Sequence, residues 1–500
     1  MKKNHKLFLA LILGLGLFLR LFRLESLFHF TMDEALVAFR GWGLFELNRP
    51  FLIGGISPLQ VHLPPYFYYL SAFILKLANY NPLGWGVWAS LIGLATIISL
   101  YCLTKKLFNQ TTALVTSLLY ATSFTAVFFD RHYWPLSLNP LLTILTFILL
   151  TKLSKKSLWS YLGLFLTLAL ALTADPSNLP LALTVLAFLL LNKKALSSRF
   201  TLSSLAIGLT TFFTPLILFD LRHQWQNFSG IQKLFQTTQA LQFSLPKLID
   251  ALLLLPRSLV RFWHSPQTSL VKFYSYCMPY AQARQHQLSL ALVILATLTL
   301  FWFLASRFRS HQKIFKAIKL LLIFYFLGIT LFGILGFSLF DHYLSGLLPI
   351  FSLITAIALT HSAIGLIGRV ILVGLIALNL FQFSNARHPY SLYQKQRLIN
   401  WVQPQLKDQA FALDSISKCH KENGLRYLFA LTDNPPIISF MDPNFSWLYL
   451  EPPQQTLPDK ILLITDKDLN LSQPIINQQT FGTMTAIILD NTAKTYEINY

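Results

Sequence analysis

Apolar runs of about 17 to 23 residues recur along this 500-residue chain, and few folds accept that pattern. In lipid, every backbone polar group must find its partner inside its own helix, and about 20 apolar residues cross the hydrocarbon core. The runs lie near 7–24, 84–104, 112–129, 137–151, 158–174, 178–192, 201–219, 287–306, 317–337, 343–361 and 366–384. They predict about eleven transmembrane helices in a polytopic α-helical membrane protein. A hydrophobic share of 54% agrees with that class. The opening M-K-K-N-H-K and its apolar run imitate a signal peptide. No small-residue cleavage site follows, and Arg20 and Arg23 lie near the end of the run, so an uncleaved first span is expected.

The formal charge of +20 is distributed by side. With the N-terminus inside, the cytoplasmic connections hold Lys2, Lys3, Lys6, Lys105, Lys106, Lys152, Lys193, Arg199, Arg307, Lys313 and Arg369, with no acid among them. All nine acids before residue 386 fall on the other side: Glu25, Asp33, Glu34, Glu46, Asp130, Asp175, Asp220, Asp250 and Asp341. Lys and Arg bias sets orientation, so the excess charge is topology. Nucleic acid is not an expected partner, because basic residues there should stand among readout positions on a soluble face. The expected location is the plasma (inner) membrane, with the N-terminus cytoplasmic. Cys102, Cys277 and Cys419 share no motif spacing, which speaks against a disulfide framework or a cysteine metal site.

Residues 1–385 form the expected membrane domain, with a long first outer loop at 25–83 and a large outer loop at 220–286. Within the first loop, Glu34 to Leu47 has helical apolar spacing through Leu36, Phe39, Gly43 and Leu47. Pro65 to Leu77 is a second short helix candidate, and a further apolar helix is expected near 246–255. From 386 to 500 the apolar runs shrink to strand length: Phe411–Leu413, Ile437–Phe440, Ile461–Thr465 and Ala486–Leu489, with a helix near 420–431. That pattern predicts a small α/β domain. An odd number of spans places it outside the cell.

The acidic pair Asp33-Glu34 lies about nine residues past the first span, where carboxylates are otherwise few. Adjacent helical residues point about 100° apart, so only one can readily face a given cleft. An acid there can cap the following helix, which explains one acid better than two. The other can serve as a general base. After the third span come Asp130, Arg131, His132, Trp134 and Asn139. These read either as an interface belt with a local Asp130–Arg131 pair, or as a place where Arg131 grips an anionic phosphate. The seventh span ends with Asp220, Arg222 and His223, and the tenth begins with Asp341, His342 and Tyr343. Each alone is an ordinary cap or interface signal; together they bring Asp, Arg and His to one membrane face. Asp175 reads as a turn residue, and His62 is open to either reading. No P-loop, G-x-G-x-x-G or H-E-x-x-H string occurs. Ionisable residues are almost absent from the middle of the spans, unlike ion-coupled transporters.

These residues resemble the GT-C class of integral membrane glycosyltransferases, in the branch of protein O-mannosyltransferases and aminoarabinose lipid A transferases. The resemblance rests on L-R-L-F-R-L and F-T-M-D-E around the first span end, and on H-L-P-P-Y-F-Y-Y-L in the first outer loop. R-H-Y-W-P-L-S-L-N-P, F-D-L-R-H and D-H-Y-L-S-G-L-L-P-I-F continue it, over about residues 7–385. The resemblance implies a polyprenyl-phosphate sugar donor and a protein, lipid or glycan acceptor on the outer side. By position Asp33 matches the family's catalytic acid, with Glu34 beside it. Some relatives carry Lys-Pro where this chain has Leu63-Pro64 next to His62, so phosphate contact from that loop is not implied.

A base at Asp33 would take the acceptor hydroxyl proton, and the departing lipid phosphate needs fixed cations. Arg131, Arg222 and His342 are the expected donor-phosphate residues. His62, Asp130, His223 and Tyr343 are candidate substrate contacts. No cofactor is required; a divalent metal is permitted but not indicated. In-line attack predicts inversion at the anomeric carbon. A transporter or flippase, or a polymerase or ligase of lipid-linked saccharides, is the alternative. The first should show midplane polar groups or repeats, the second a main loop later in the chain.

Overall fold

The computed structural model describes residues 2–57, 61–153, 158–196, 198–236, 243–265, 288–307, 311–335, 339–417, 422–449, 457–469, 471 and 473–491. Helix occupies all eleven expected runs: Lys2–Leu21, Leu83–Leu107, Gln110–Thr122, Asn139–Lys152, Leu158–Ala174, Leu179–Leu191, Arg199–Arg222, Leu290–Ala305, Gln312–Ile334, Leu348–Leu359 and Gly365–Ser384. Among the described residues, six helical segments are long and apolar enough to cross a membrane. Leu158–Ala174, Pro176–Leu191 and Leu290–Ala305 are apolar but shorter. The chain is a multi-pass helical membrane protein. Its bundle encloses an apolar core that includes Leu100, Tyr120, Phe147, Leu164, Leu254, Phe303 and Ile350.

The expected continuous span at 112–129 is broken at Ser123, between helices Gln110–Thr122 and Phe124–Phe129. Ser123 leaves helical geometry at ψ 121°. The break is compensated by bonds to other helices. The Ser123 hydroxyl donates to the Phe262 carbonyl (2.8 Å), and the Phe124 N–H donates to Asn379 Oδ1 (2.7 Å). Asn379 in turn donates to the Trp263 carbonyl (2.7 Å). A freed backbone donor in lipid must be satisfied this way. The kink re-aims the chain so that Asp130 turns into the bundle.

The first outer loop carries helices Met32–Glu46 and Tyr66–Leu77, close to the expected bounds. In the large outer loop, the helix expected at 246–255 extends over Leu245–Trp263. Beyond the last long helix, Leu392–Val402 leads into a five-stranded sheet of order β2-β1-β3-β5-β4. The strands are β1 (Phe411–Ile416), β2 (Ile438–Ser439), β3 (Lys460–Thr465), β4 (Ile475–Phe481) and β5 (Met484–Asp490). β1 pairs in parallel with β2 and β3, while β5 runs antiparallel to β3 and β4. The sequence reading missed β4. It is an edge strand whose first six residues are exposed, and I-I-N-Q-Q-T-F lacks an apolar run. A helix at Leu425–Ala430 lies between β1 and β2. A second apolar core joins this unit to the 25–83 loop and the helix ends beside it: Phe28, Phe30, Phe39, Trp85 and Tyr133 pack in one cluster with Leu398, Phe411, Tyr427 and Ile488. The α/β unit therefore sits directly on the loop that carries Asp33-Glu34.

Candidate active site

The string T-M-D-E dictates how Met32–Glu46 begins. Thr31 is the N-cap, and Glu34, three residues on, closes a capping box: its Oε2 accepts the Thr31 N–H at 2.8 Å. This folds Glu34 back into the protein, where it is 3% exposed. Its other oxygen lies 2.7 Å from His132 Nε2. Burial disfavours its ionised form, but the hydrogen bonds from His132 and Thr31 outweigh that, holding the carboxyl below the usual glutamate range. Asp33 points elsewhere. It is exposed, with no described hydrogen bond or ion pair. Desolvation by the surrounding protein pushes its carboxyl up to about 6, and the Glu34 charge pushes the same way.

His132 owes its position to a buried anchor two residues earlier. Asp130 accepts from Arg20 Nη2 (2.6 Å) and Nε (3.0 Å), and from the Tyr120 hydroxyl (3.0 Å). Arg20 and Asp130 are fully enclosed, and Arg20 also donates to the Gly16 carbonyl at 2.9 Å. Gly93 makes the room: a Cβ there would lie 2.6 Å from both Arg20 Nε and Asp130 Oδ2. Of the two readings of this string, the local Asp130–Arg131 pair does not form; Asp130 is instead enclosed and bonded to Arg20 and Tyr120. Arg131 points the other way, donating to the Phe22 carbonyl (2.9 Å) and lying over the Phe383 ring. A small pocket bounded by Leu27, His29, Phe128, Arg131, His132 and Phe383 lies beside it.

His342 joins the same neighbourhood through stacked rings. His132 lies parallel to Trp134 at 4.6 Å, and Trp134 meets the edge of His342 at 4.9 Å. Tyr343 packs on His342 at 4.6 Å. The neighbouring Asp341 is paired with Arg261. A second group forms between the 25–83 loop and the end of helix Arg199–Arg222. Asn227 Oδ1 accepts the His62 N–H (2.9 Å) and lies 2.9 Å from His62 Nδ1, while Asp220 accepts the Asn227 N–H at 2.9 Å. His223 stacks on Phe219, which also touches His62. Burial lowers the His62 pKa, with lesser contributions from Arg40 and His223 in the same direction. Arg222 is exposed, and no described hydrogen bond or ion pair brings it to Asp33, Glu34 or Arg131.

Three functional candidates escaped the sequence reading, His29, His388 and Lys395, and a fourth, His132, was named there without a role of its own. The Thr31 hydroxyl lies 3.2 Å from Glu34 Oε2 and 3.1 Å from His29 Nε2. His29 Nδ1 is then 3.1 Å from His388 Nε2. Burial holds both histidines well below the usual range, so both are neutral at physiological pH. Lys395 is fully buried and donates to the Phe30 carbonyl; burial lowers its ammonium to about 7. His132 stood in the string R-H-Y-W and His29 five residues before Glu34, so both were visible as letters. His388 and Lys395 lie about 360 residues away in another unit, with no local signal.

Among the described residues, His29, Glu34 and His132 form a group that could hold a cation, with ligand atoms all within 4.8 Å of one another. Two ligands of a tetrahedral zinc keep about 3.4 Å between them, from bond lengths near 2.1 Å. Glu34 and His132 stand at 2.7 Å, a hydrogen-bond distance. Glu34 is bonded directly to His132 and through the Thr31 hydroxyl to His29, and a metal would have to spread that chain.

The family model for dolichyl-phosphate-mannose-protein mannosyltransferases matches residues 62–218. That stretch contains His62, Asp130, Arg131 and His132, but ends before Asp220 and begins after Asp33-Glu34. The fold is similar to that of ArnT from Cupriavidus metallidurans bound to undecaprenyl phosphate, with TM-score 0.58, 12% identity and 98% of each chain covered. The apo state of the same ArnT gives 0.57 at the same identity and coverage. The Archaeoglobus fulgidus oligosaccharyltransferase, tethered by a disulfide bond to an acceptor peptide containing the NVT sequon, gives 0.50 at 12% identity. It is covered to 64%, by 88% of this chain. No curated protein matches the chain at a significant level. The chain has the GT-C glycosyltransferase fold and resembles the mannosyltransferase and ArnT branch.

Proposed function

We propose that the chain is a membrane glycosyltransferase that moves a sugar from a polyprenyl-phosphate donor to an acceptor hydroxyl on the outer face, with Asp33 as general base. The observation that carries this reading is the contrast between the two acids. Glu34 is enclosed and bonded on both oxygens, while Asp33 is open and has a pKa of about 6. A base needs access and a pKa close to the working pH. The undecaprenyl phosphate bound by the similarly folded ArnT supports a lipid-phosphate donor.

In the proposed step, the acceptor oxygen attacks the anomeric carbon while Asp33 takes its proton. The bond from that carbon to the donor oxygen breaks, and its electron pair leaves on the lipid phosphate. Attack opposite the leaving group inverts the anomeric centre. The developing phosphate charge falls to fixed donors. Arg131 is the first choice, because it lies beside the Glu34–His132 pair and borders an apolar pocket. His342 follows, one stacked ring away. Arg222 ranks behind both, and the His62–Asn227–Asp220 group with His223 is assigned to the substrate path between the loops. Tyr343 is assigned to support of His342. Residues 1–385 are assigned to the transferase domain and 386–500 to the outer side, with the N-terminus cytoplasmic. The test is sugar transfer by purified protein from synthetic polyprenyl-phosphate mannose and aminoarabinose. Asp33→Asn is expected to abolish it; full transfer by that variant would reject the base.

A further inference from the structure

We propose that the α/β unit is a clamp on the catalytic loop, and that Lys395 is the positioning residue that sets the Phe28–Phe30 segment and through it Asp33 and Glu34. This inference rests on the reading above, but its main measurement does not.

The unit grips three consecutive residues, each by a different means. The Leu392 N–H donates to the Phe28 carbonyl at 3.0 Å. His388 meets the His29 side chain at 3.1 Å, and the two rings stack. Lys395 donates to the Phe30 carbonyl. The next residue is Thr31, the N-cap whose N–H and hydroxyl both reach Glu34. The hold on 28–30 is therefore passed to the acidic pair within four residues.

Two features mark the contact as built. Lys395 has no exposed surface, and Lys is almost never fully buried without a specific partner. Its ammonium lies in the field of Glu422 and Glu34, which offset part of the cost of burial. Leu392–Val402 needs no lysine for its fold, since Leu392, Leu398 and Val402 already supply its buried face. The second feature is Gly424. A Cβ there would lie 2.6 Å from Phe30 Cδ1 and 2.7 Å from the Phe30 carbonyl oxygen. Phe30 is thus packed directly against the Gly424 backbone. It completes its packing on Tyr427 and Trp85.

A neutral isostere, Lys395→Met, keeps the volume and removes the donor. Gly424→Ala tests the same segment without touching a charge. Lys460→Met is the control: Lys460 pairs with Asp490 on β3 and β5, away from the loop. Hydrogen exchange is measured on the full-length protein in detergent, with thermal unfolding alongside. The expected result is that amides of 28–34 exchange at least about tenfold faster in Lys395→Met and Gly424→Ala, and unchanged in Lys460→Met. Where transfer is active, kcat falls by about ten- to a hundredfold with donor KM nearly constant, because a displaced base slows chemistry rather than binding. Unchanged exchange at 28–34 in Lys395→Met would overturn the clamp. Equal loosening by Lys460→Met would overturn it too, since protection would then reflect only the stability of the unit. Faster exchange with unaltered kcat would refute the link to the acids. A wild-type protein inactive with every donor tried would reject the transferase reading, and the exchange result would still decide the clamp.

Discussion

Replacing Glu34 by Gln is expected to lower the pH at which Asp33 starts to work. A general base must be ionised, so activity should fall as pH drops through the pKa of Asp33, about 6 against a usual 3.8. Burial is the larger cause of that rise and is untouched by the substitution. The charge of Glu34 is the lesser cause, so its share is under half of the displacement. The acid limb should therefore move to lower pH by less than about one pH unit. Gln suits the test because its amide oxygen can still accept the Thr31 N–H and close the capping box, while its NH2 donates to His132 in the other ring tautomer. Its neutrality is then the main change. The assay is kcat/KM for labelled sugar transfer between about pH 4.5 and 8, which reports the free enzyme's ionisations. Asp33→Asn should lose about 10²- to 10⁴-fold at every pH in that range. A limb that stays fixed or moves upward in Glu34→Gln would refute the electrostatic coupling of the two acids. A limb that survives in Asp33→Asn would refute Asp33 as the base.

Other expectations test the surroundings. Arg20→Met should cost about 3–5 kcal/mol of unfolding free energy, because Asp130 would be left as a buried uncompensated charge. A loss under about 1 kcal/mol in denaturant titration would remove the anchor role. Exhaustive chelation should leave transfer within about twofold, since Glu34 and His132 stand at hydrogen-bond distance rather than ligand spacing. Activity lost on chelation and restored by zinc would show that the triad opens around a metal. Alkaline phosphatase fused at position 450 should be active and at 155 inactive; an active fusion at 155 would reverse the topology.

The helical architecture was legible because lipid leaves the backbone one economical solution, so apolar run length nearly determines position. Every expected run holds helix. The break at Ser123 was not legible, because its compensation comes from Asn379 and Phe262, far away in the chain. β4 was hidden for the opposite reason: an edge strand exposed on both faces has no apolar signature. In the site, the pair at 33–34 stood out against a background almost free of carboxylates. The partners of Glu34 did not. An Asp-Arg neighbour pair looks self-satisfying, yet Asp130 turned inward to Arg20 and left His132 for Glu34. Arg222 offers the sequence only a guanidinium at the end of a helix, which fixes a membrane face but not a distance.

Adjacency explains why the two acids differ so much in environment. On a helix, neighbours diverge by about 100°, so a residue folded back onto its own N-cap forces the one before it outward. Thr31 and Glu34 are locked together by the capping box, and that lock sets the azimuth of Asp33 without a bond to Asp33 itself. The arrangement lets Glu34 be held rigidly by His132 and Thr31 while Asp33 stays free to meet a substrate. It also keeps an ionised neighbour beside Asp33, which raises its pKa toward the range where a base is effective. The cost of enclosing Glu34 is met by hydrogen bonds that an exposed acid would not need. Position 34 is thus the more constrained of the two, since it must reach His132 and the Thr31 N–H at once. Position 33 has no such bond among the described contacts, and under the proposed function its constraint is the substrate.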